Sequence, residues 1–352
     1  MRKLLNFLEI ENFRCFERLT VEKLGRVNLF VGKNSVGKTA VLEALWLLAT
    51  HAAWPVIHKI LYDRNELVIY NMPEQSTRSL QLEAVQSFFP GRSKNSSKSF
   101  DIAYSVMGSE KMVFYFKLSL LNNGIDVGLK TQDGTGRADE KTSQFPDLLR
   151  KEVLEYNVIE QSKKSKCVFV PLKGLTWQAV SSYWDDIALT DKEESIISCL
   201  KKIDKDATRF TFKGDNMQDR VRYSVLKTDR FVDPLPLATM GEGIQRVFAL
   251  ALAMSASSGK FLLIDEIETG LHHSVQAEIW RAVFKLAKEW DVQVFATTHS
   301  WDCIEAFQEA AAEDQNEEAM LISLQQRKAG IKAVLFDESD LKVVTRGHIE
   351  VR

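Results

Sequence analysis

The apolar run 27–31 is followed by a glycine-containing polar segment, 32–39, and then by the apolar stretch Ala40 to Leu48. A short apolar run bounded by glycine is typical of a buried strand, and the longer apolar stretch after it favours a buried helix. The pattern therefore predicts a strand, a tight loop and a helix in direct succession.

Two later apolar runs also end in polar residues. The run Phe261 to Ile264 ends in Asp265-Glu266, and the run 292–298 ends in His299. Both runs have the length of strands. We therefore expect two further buried strands, with two carboxylates and a histidine at their ends.

Alternating and amphipathic patterns predict more elements around these three strands. The polar stretch Asp133 to Ser143 is expected to be a loop. Together the elements predict an α/β fold, a mixed sheet with an antiparallel β lobe and a helical lobe. Strands are predicted at 5–10, 19–21, 100–106, 112–120, 125–129, 167–170, 210–212 and 221–226, and helices within 174–205 and at 243–254 and 274–290.

We expect one domain over residues 1–352, built from four lobes. The lobe at 1–60 carries the phosphate loop, and 100–170 is the antiparallel β lobe. Residues 174–230 form a helical insertion, and 231–352 form the last lobe.

Composition narrows the functional classes. The chain has 352 residues, of which 45% are hydrophobic, and a net charge of −2, so contact with DNA would depend on local basic patches. No apolar run approaches the roughly 18 residues of a membrane span, and Asn6 and Glu9 interrupt any signal-peptide core. Four scattered cysteines without a C-x-x-C pair indicate reduced thiols, as in a cytoplasmic protein.

The segment between the first strand and its helix has the G-x-x-x-x-G-K-T pattern of a phosphate-binding loop. Its backbone N–H groups and the helix N-terminus are suited to the phosphates of ATP. Lys38 supplies a charge to the β- and γ-oxygens, and the Thr39 hydroxyl is expected to ligate Mg²⁺. The loop consists of Gly32, Lys33, Asn34, Ser35, Val36, Gly37, Lys38 and Thr39.

The polar residues at the two later strand ends complete a hydrolytic set. Asp265 ends a buried strand, where an ionised carboxylate needs a cation such as Mg²⁺. Glu266 is placed to orient or deprotonate the attacking water, and the alternative is a capping carboxylate. His299 is a candidate partner for the γ-phosphate, and the alternative is a core histidine.

A second glycine-rich turn, Gly241-Glu242-Gly243, opens an apolar helix 24 residues before Asp265. A second helix N-terminus offers a second anion site. One chain has no need of it for its own nucleotide. We therefore expect Gly241 and Gly243 to close over the γ-phosphate held by another copy of the chain.

Taken together, these motifs resemble ABC-type ATPase heads, and most closely the RecF, SMC and OLD (overcoming lysogenization defect) group. The resemblance covers almost the whole chain and is most specific at the ATP site. It is carried by the phosphate loop, by the glycine turn before Asp265-Glu266, and by three further segments. These are Glu9 to Phe16, Asp265 to His272, and Thr297-Thr298-His299-Ser300.

The resemblance implies ATP-gated, head-to-head homodimers with two nucleotides between the protomers. It implies that Gly241 and Gly243 contact the partner's γ-phosphate and that Glu268 to His272 cross the dimer seam. It gives Arg14 a contact with phosphate or ribose, and the alternative is a solvated strand arginine. OLD nucleases also carry a Toprim domain, and because this chain ends at Arg352 we expect any nuclease to be a separate polypeptide.

Two positions depart from the group's pattern. Gly241 stands where most ABC heads have a serine, so the contact in trans would come from backbone, assisted by Gln245 or Arg246. The glutamine-loop residue has only weak candidates, Gln81 and Gln86.

Three functions compete. The first is an ATP-driven dimerising switch that acts on nucleic acid or an effector protein, in DNA repair or in defence against mobile elements. The second is a P-loop kinase, which the water-activating Glu266 disfavours; a GTPase is disfavoured because no N-K-x-D motif occurs. The third is a nucleotide-binding scaffold without hydrolysis. The lysine clusters at 163–166 and 201–205 are candidates for phosphate contacts, and the alternative is a solvated face.

Overall fold

The structure is a computed structural model. Its description covers residues 4–66, 84–90, 97–106, 111–121, 124–132, 138–144, 151–165, 167–214, 222–313, 319–328, 330–337 and 340–341. None of the helices in these ranges is both long and apolar enough to cross a membrane.

The described elements mix strands and helices along the whole chain. The strands are β1 (Leu5–Phe13), β2 (Phe16–Val21), β3 (Val27–Val31), β4 (Ser97–Val106), β5 (Met112–Leu121), β6 (Gly124–Gln132), β7 (Ala138–Gln144), β8 (Cys167–Val170), β9 (Ala207–Gly214), β10 (Arg222–Thr228), β11 (Leu235–Pro236), β12 (Phe261–Ile264), β13 (Gln293–Thr297), β14 (Ala319–Arg327) and β15 (Gly330–Phe336). The helices are α1 (Lys38–Ala49), α2 (Trp54–Asp63), α3 (Lys151–Ser165), α4 (Trp177–Asp185), α5 (Asp191–Lys201), α6 (Glu242–Ala256), α7 (His273–Glu289) and α8 (Trp301–Glu313).

A central six-stranded sheet has the order β15-β14-β3-β13-β12-β8. Adjacent strands of this sheet pair in parallel, except that β15 runs antiparallel to β14. The register pairs Ile264 with Ala296, and Thr297 with Phe30. As a result, the carboxyl ends of β12, β13 and β3 lie side by side, at the edge where open α/β sheets bind ligands.

A second six-stranded sheet is antiparallel and has the order β2-β1-β4-β5-β6-β7. Helix α1 lies between this sheet and the central one, and all its residues except Thr39 are buried. The shared core joins Phe30 and Phe295 of the central sheet to phenylalanines of the antiparallel sheet. Among these, the Phe100 and Phe116 rings stack with centroids 4.6 Å apart. A helix that is apolar on every side is stable because it has apolar neighbours on every side.

Helices α6, α7 and α8 cover the opposite face of the central sheet. A small sheet, β11-β10-β9, packs beside them together with α4 and α5. The Phe210 ring on β9 contacts the Phe248 ring on α6, with centroids 3.9 Å apart. Thus the body of α6, which begins at the second glycine turn, is held between the central sheet and this side lobe.

The α/β class, the mixed sheet and the antiparallel sheet were predicted correctly, but one local assignment was wrong and several elements were not predicted. The stretch Asp133 to Ser143 was predicted to be a loop, whereas Ala138–Gln144 forms β7. Its polar sequence, ADEKTSQ, gives no apolar alternation, and the strand is defined instead by its antiparallel pairing with β6. Helices α2 and α3 and strands β14 and β15 were not predicted. The turn expected at Gly108-Ser109 lies outside the described residues.

The division into four lobes stays a prediction. Within the expected helical insertion at 174–230, the structure has α4 and α5 followed by β9 and β10. Strands β1 and β2, from the expected first lobe, pair within the antiparallel sheet.

A buried glutamine ties the two large sheets together at the end remote from the phosphate loop. The Gln293 side chain on β13 accepts a hydrogen bond from the Leu5 backbone N–H at 2.9 Å. It donates to the Leu5 and Gly25 carbonyls, both at 2.7 Å. Because Gln293 is 1% exposed, water cannot replace these bonds without local opening.

We expect Gln293→Leu to lower the free energy of unfolding by about 2–3 kcal/mol, because buried backbone groups lose their partners. Urea denaturation followed by circular dichroism measures this. Gln326→Leu makes the same change at an exposed position and should alter stability by less than about 0.5 kcal/mol. Equal losses in the two variants would show that Gln293 does not tie the sheets.

Candidate functional site

The carboxyl edge of the central sheet carries a cavity of about 560 Å³. Residues from the predicted phosphate loop line it, together with both strand-end carboxylates and part of the β1–β2 turn. The lining residues include Asn34, Ser35, Gly37, Lys38, Thr39, Asp265, Glu266, Arg14 and Cys15, together with Arg64, which follows α2. The structure thus brings together sequence positions more than two hundred residues apart.

Two glycines allow the loop to take its shape. Gly32 has φ 147°, and a Cβ there would lie 2.6 Å from the Leu324 carbonyl oxygen of β14. Gly37 has φ 97°, and a Cβ there would lie 2.5 Å from the Phe16 ring and 2.6 Å from Cys15 Sγ. Any side chain at either position would be strained and would collide with its neighbours. The β1–β2 hairpin and β14 therefore support the loop from two sides.

Lys38 lies at the centre of the loop. Its Nζ donates to the Gly32 carbonyl at 2.8 Å and to the Lys33 carbonyl at 3.2 Å. Burial lowers the pKa of Lys38, and the nearby carboxylates, first among them Glu266, oppose that shift. These contacts hold the ammonium group inside the curve of the loop, where the phosphates of a nucleotide would meet it.

Oxygen ligands suited to a magnesium ion meet beside Lys38. The Thr39 hydroxyl donates to both carboxylate oxygens of Asp265, each at 3.1 Å. The Thr297 hydroxyl of β13 donates to Asp265 Oδ1 at 2.7 Å. Hydroxyl and carboxylate oxygens are the ligands that Mg²⁺ prefers, and adjacent ligands of an octahedral ion lie about 3 Å apart. The residues present therefore fit the ion expected from the sequence.

Glu266 has an unusual backbone conformation. Its φ is 46°, in the left-handed region that residues with a side chain seldom occupy. The Thr297 hydroxyl accepts a hydrogen bond from the Glu266 backbone N–H at 2.9 Å and helps to hold this conformation. Strained backbone of this kind is often found at functional sites. Thr297 contacts both acidic residues, although no functional role was predicted for it; its only signal in the sequence was its place two residues before His299.

His299 lies beside the carboxylates of Glu266 and Glu268. Its Nδ1 is 3.3 Å from Glu266 Oε1 and 3.5 Å from Glu268 Oε1, and its side chain is 53% exposed. The imidazole is thus at the surface of the cavity region rather than in the core, which excludes the alternative of a core histidine. Contact with a γ-phosphate stays a prediction.

The second glycine turn lies outside this cavity. Gly241 is exposed, has φ 94°, and a Cβ there would meet no atom within 4 Å. A Cβ on Gly243 would lie 3.5 Å from the Gly270 carbonyl oxygen, in the loop that follows β12. Beside the turn is a separate cavity of about 600 Å³, lined in part by Glu242, Gln245 and Gly270. The turn is therefore open to solvent and is not sealed against its own protein body.

Arg246 was expected to assist a contact in trans beside this turn, but its side chain points inward. Its Nη2 donates to the Asp265 and Glu266 carbonyls at 3.2 and 3.1 Å, and its Nη1 donates to the Pro171 carbonyl at 3.3 Å. Burial lowers the pKa of Arg246, although Glu268 opposes that shift. Gln245 donates to the carbonyl of its own Gly241 at 3.3 Å. Arg246 therefore links α6 to the end of β12 within one protomer.

Arg14 is also engaged with protein groups. Its guanidinium forms ion pairs with Glu43 at 3.1 Å and with Glu66 at 2.7 Å, and it hydrogen-bonds Ser87. Its side chain is 6% exposed, so the alternative of a solvated strand arginine is wrong. Arg14 lines the cavity, and its contact with phosphate or ribose stays a prediction.

Other candidates lie away from the cavity. Lys163 pairs with Asp186 at 2.7 Å and Lys202 with Glu278 at 3.1 Å, which favours a solvated, charge-balanced face over a phosphate contact. Cys303, four residues beyond His299 in the sequence, is buried, and burial raises its pKa to about 12, which disfavours a nucleophilic role for this thiol. Gln86 is buried and Gln81 lies outside the described residues, so neither is identified as a glutamine-loop residue.

Known proteins resemble this chain in sequence and in fold. A family model described as "AAA domain, putative AbiEii toxin, Type IV TA system" matches residues 27–302, from the first strand of the phosphate loop to just beyond His299. An ATP/GTP phosphatase of Helicobacter pylori is 21% identical over 338 residues, which are 88% of this chain and 89% of that protein.

Two further likenesses concern the RecF and SMC proteins. The DNA replication and repair protein RecF of Lactococcus lactis is 30% identical over 82 residues, 22% of this chain and 23% of RecF. The crystal structure of an SMC head bound to the C-winged helix domain of ScpA superposes with a TM-score of 0.50 and 14% identity, covering 95% of this chain and 97% of that one. The fold is that of an ABC-type ATPase head of the RecF and SMC group.

The Arg246 bridge can be tested by stability. We expect Arg246→Leu to lower the free energy of unfolding by about 2–3 kcal/mol, because charged hydrogen bonds to three carbonyls are lost. Urea denaturation measures the change. The matched control is Arg209→Leu at an exposed position, for which we expect a change below about 0.5 kcal/mol. A similarly small change for Arg246→Leu would mean that the bridge contributes nothing to the fold.

Proposed function

The chain belongs to the AAA-domain family whose model matches residues 27–302, and from that premise we propose that it hydrolyses ATP and couples hydrolysis to head-to-head dimerisation. One observation carries the proposal. Lys38, Thr39, Asp265 and Glu266 come from separate parts of the sequence and line a single cavity. A phosphate loop, a magnesium ligand set and a carboxylate beside them are the parts that nucleotide hydrolysis needs.

Each residue has a task that follows from its position. Lys38, held by loop carbonyls, would exchange those bonds for the β- and γ-phosphate oxygens. Thr39 and Asp265 would hold Mg²⁺, which neutralises phosphate charge when bound. Glu266 would orient the attacking water and accept its proton. His299 is adjacent to Glu266 and within reach of the same substrate end.

The position of the second glycine turn supports a dimer. Gly241 is exposed and does not line the proposed nucleotide cavity of its own chain. The N-terminus of α6 is nevertheless built to bind an anion, because its first N–H groups have no partners within the helix. A second copy that brings its triphosphate to Gly241 and Gly243 would satisfy both observations. Since Gly241 has no side chain, the contact would be made by backbone N–H groups.

We propose that the dimer acts as a switch on nucleic acid or on an effector protein, in DNA repair or in defence against mobile elements. Support comes from the names of relatives: RecF is a replication and repair protein, and the family description includes a toxin–antitoxin system. The effector would be a separate polypeptide, such as a Toprim-type nuclease.

The second candidate is a scaffold that binds nucleotide without hydrolysing it and recruits a nuclease or toxin. Arg246 occupies an inward position and Gly241 replaces the usual serine, which leaves fewer side chains to act in trans. The Helicobacter pylori relative is an ATP/GTP phosphatase, which favours hydrolysis.

We expect Lys38→Ala to abolish ATP binding or to weaken it severely while leaving the fold intact. Cys15 offers a direct measurement, because it is exposed in the cavity whereas Cys167, Cys199 and Cys303 are buried. ATP with Mg²⁺ should protect Cys15 from maleimide labelling in the wild type and in the control Lys23→Ala, but not in Lys38→Ala. Full protection in Lys38→Ala would contradict the site assignment.

We expect Glu266→Gln to keep ATP binding, to lower turnover by about 100-fold or more, and to accumulate as an ATP-bound dimer. Release of phosphate measures turnover, and light scattering after gel filtration with Mg²⁺–ATP measures the dimer. Glu17→Gln, at an exposed position, should behave as the wild type.

Three outcomes separate the candidate functions. A Glu266→Gln variant that binds ATP and stays monomeric would contradict dimerisation. ATP binding by the wild type without phosphate release, with every candidate DNA and partner, would favour the scaffold. Phosphate release from ATP alone would exclude a kinase.

A further inference from the structure

Glu268 lies in the loop after β12, three residues beyond Asp265, yet its side chain turns into the protein. The side chain is 10% exposed, compared with 53% for His299. Glu268 Oε1 accepts the backbone N–H of His299 at 3.2 Å and lies 3.5 Å from His299 Nδ1. One carboxylate oxygen therefore contacts both the backbone and the ring of the same histidine.

The ring of His299 is constrained by the groups around Nδ1. Carboxylate oxygens of Glu266 and Glu268 lie 3.3 and 3.5 Å from this nitrogen. An ionised carboxylate only accepts hydrogen bonds, so the nitrogen between these oxygens carries a hydrogen. In the neutral ring the acceptor is then Nε2, on the opposite side. The two carboxylates thus select both the tautomer and the orientation of the imidazole.

We propose that Glu268 is the positioning residue for His299, fixing the backbone at the end of β13 and the ring that it carries. This inference rests on the proposed function, because His299 acts only when the cavity holds a triphosphate. Glu268 differs in role from Glu266, which is placed to act on water. Groups that accept a hydrogen bond from the ring nitrogen remote from the functional one commonly set the tautomer and the orientation of a histidine.

The energetics of Glu268 also indicate a functional role. Its second oxygen, Oε2, is buried and has no hydrogen-bond partner within the described part of the chain. A buried acceptor without a partner costs stability and calls for an explanation beyond packing. The positive guanidinium of Arg246 interacts electrostatically with Glu268 and compensates part of its negative charge.

Two substitutions of Glu268 separate positioning from chemistry. The amide oxygen of Glu268→Gln can still accept both N–H groups of His299, whereas Glu268→Ala offers no acceptor. We expect Glu268→Ala to lower kcat by about 10- to 100-fold with little change in ATP affinity, and Glu268→Gln to recover most of that loss. If Glu268 were instead a base or a metal ligand, Glu268→Gln would be as inactive as Glu268→Ala, and the proposal would be overturned.

A double-mutant cycle shows whether Glu268 works through His299. In a His299→Ala background, Glu268→Ala should cause no further loss of kcat, because the group that it positions is already gone. A second, fully additive loss would mean that Glu268 acts independently of His299.

A measurement without ATP keeps this test distinct from that of the proposed function. The chain has six histidines, and His299→Ala identifies the ¹⁵N ring signals of His299 in a histidine-labelled sample at about pH 8, where an ordinary imidazole is neutral. We expect the Nδ1–H tautomer in the wild type and in Glu268→Gln, and a smaller share of this tautomer in Glu268→Ala, in which only Glu266 still faces Nδ1. A wild-type ring with its hydrogen on Nε2 would overturn the positioning role. Absence of ATP hydrolysis would contradict only the proposed function.

Discussion

Parallel pairing of β3, β13 and β12 is the constraint on which the site depends. Because β13 lies between the other two strands, Thr297 at its end reaches Asp265, and its hydroxyl also accepts from the backbone of Glu266. A shift of one residue in either pairing would turn these side chains to the other face of the sheet. The chemistry at this edge is therefore set by the backbone registers of the strands that end there.

The sequence predicted the parts of this site that depend on local pattern. Three apolar runs followed by glycine or polar residues identified the phosphate loop, Asp265 and Glu266, because each feature lies within a few residues of the strand that presents it. The polar strand β7 could not be found in this way, since its conformation comes from pairing with β6 and not from its own sequence.

Side-chain direction was the harder part to predict. Arg246 follows a glycine turn at a position where an outward contact was reasonable, yet it turns inward to three carbonyl oxygens. Arg14 similarly forms ion pairs with Glu43 and Glu66, which are distant in sequence. Such partners depend on tertiary neighbours that no spacing along the chain reveals. The positive φ of Glu266 belongs to the same class, because the hydroxyl that holds it comes from β13.

Helix α1 has almost no surface facing solvent, since both large sheets pack against it. Its N-terminus is the end of the phosphate loop, and close packing transmits displacement because interiors are nearly incompressible. A nucleotide that draws this end of the helix by a fraction of an ångström would displace the phenylalanine core beneath it. Under the proposed function, occupancy of the loop would therefore alter the packing of the antiparallel sheet, which contacts α1 on the side away from the central sheet.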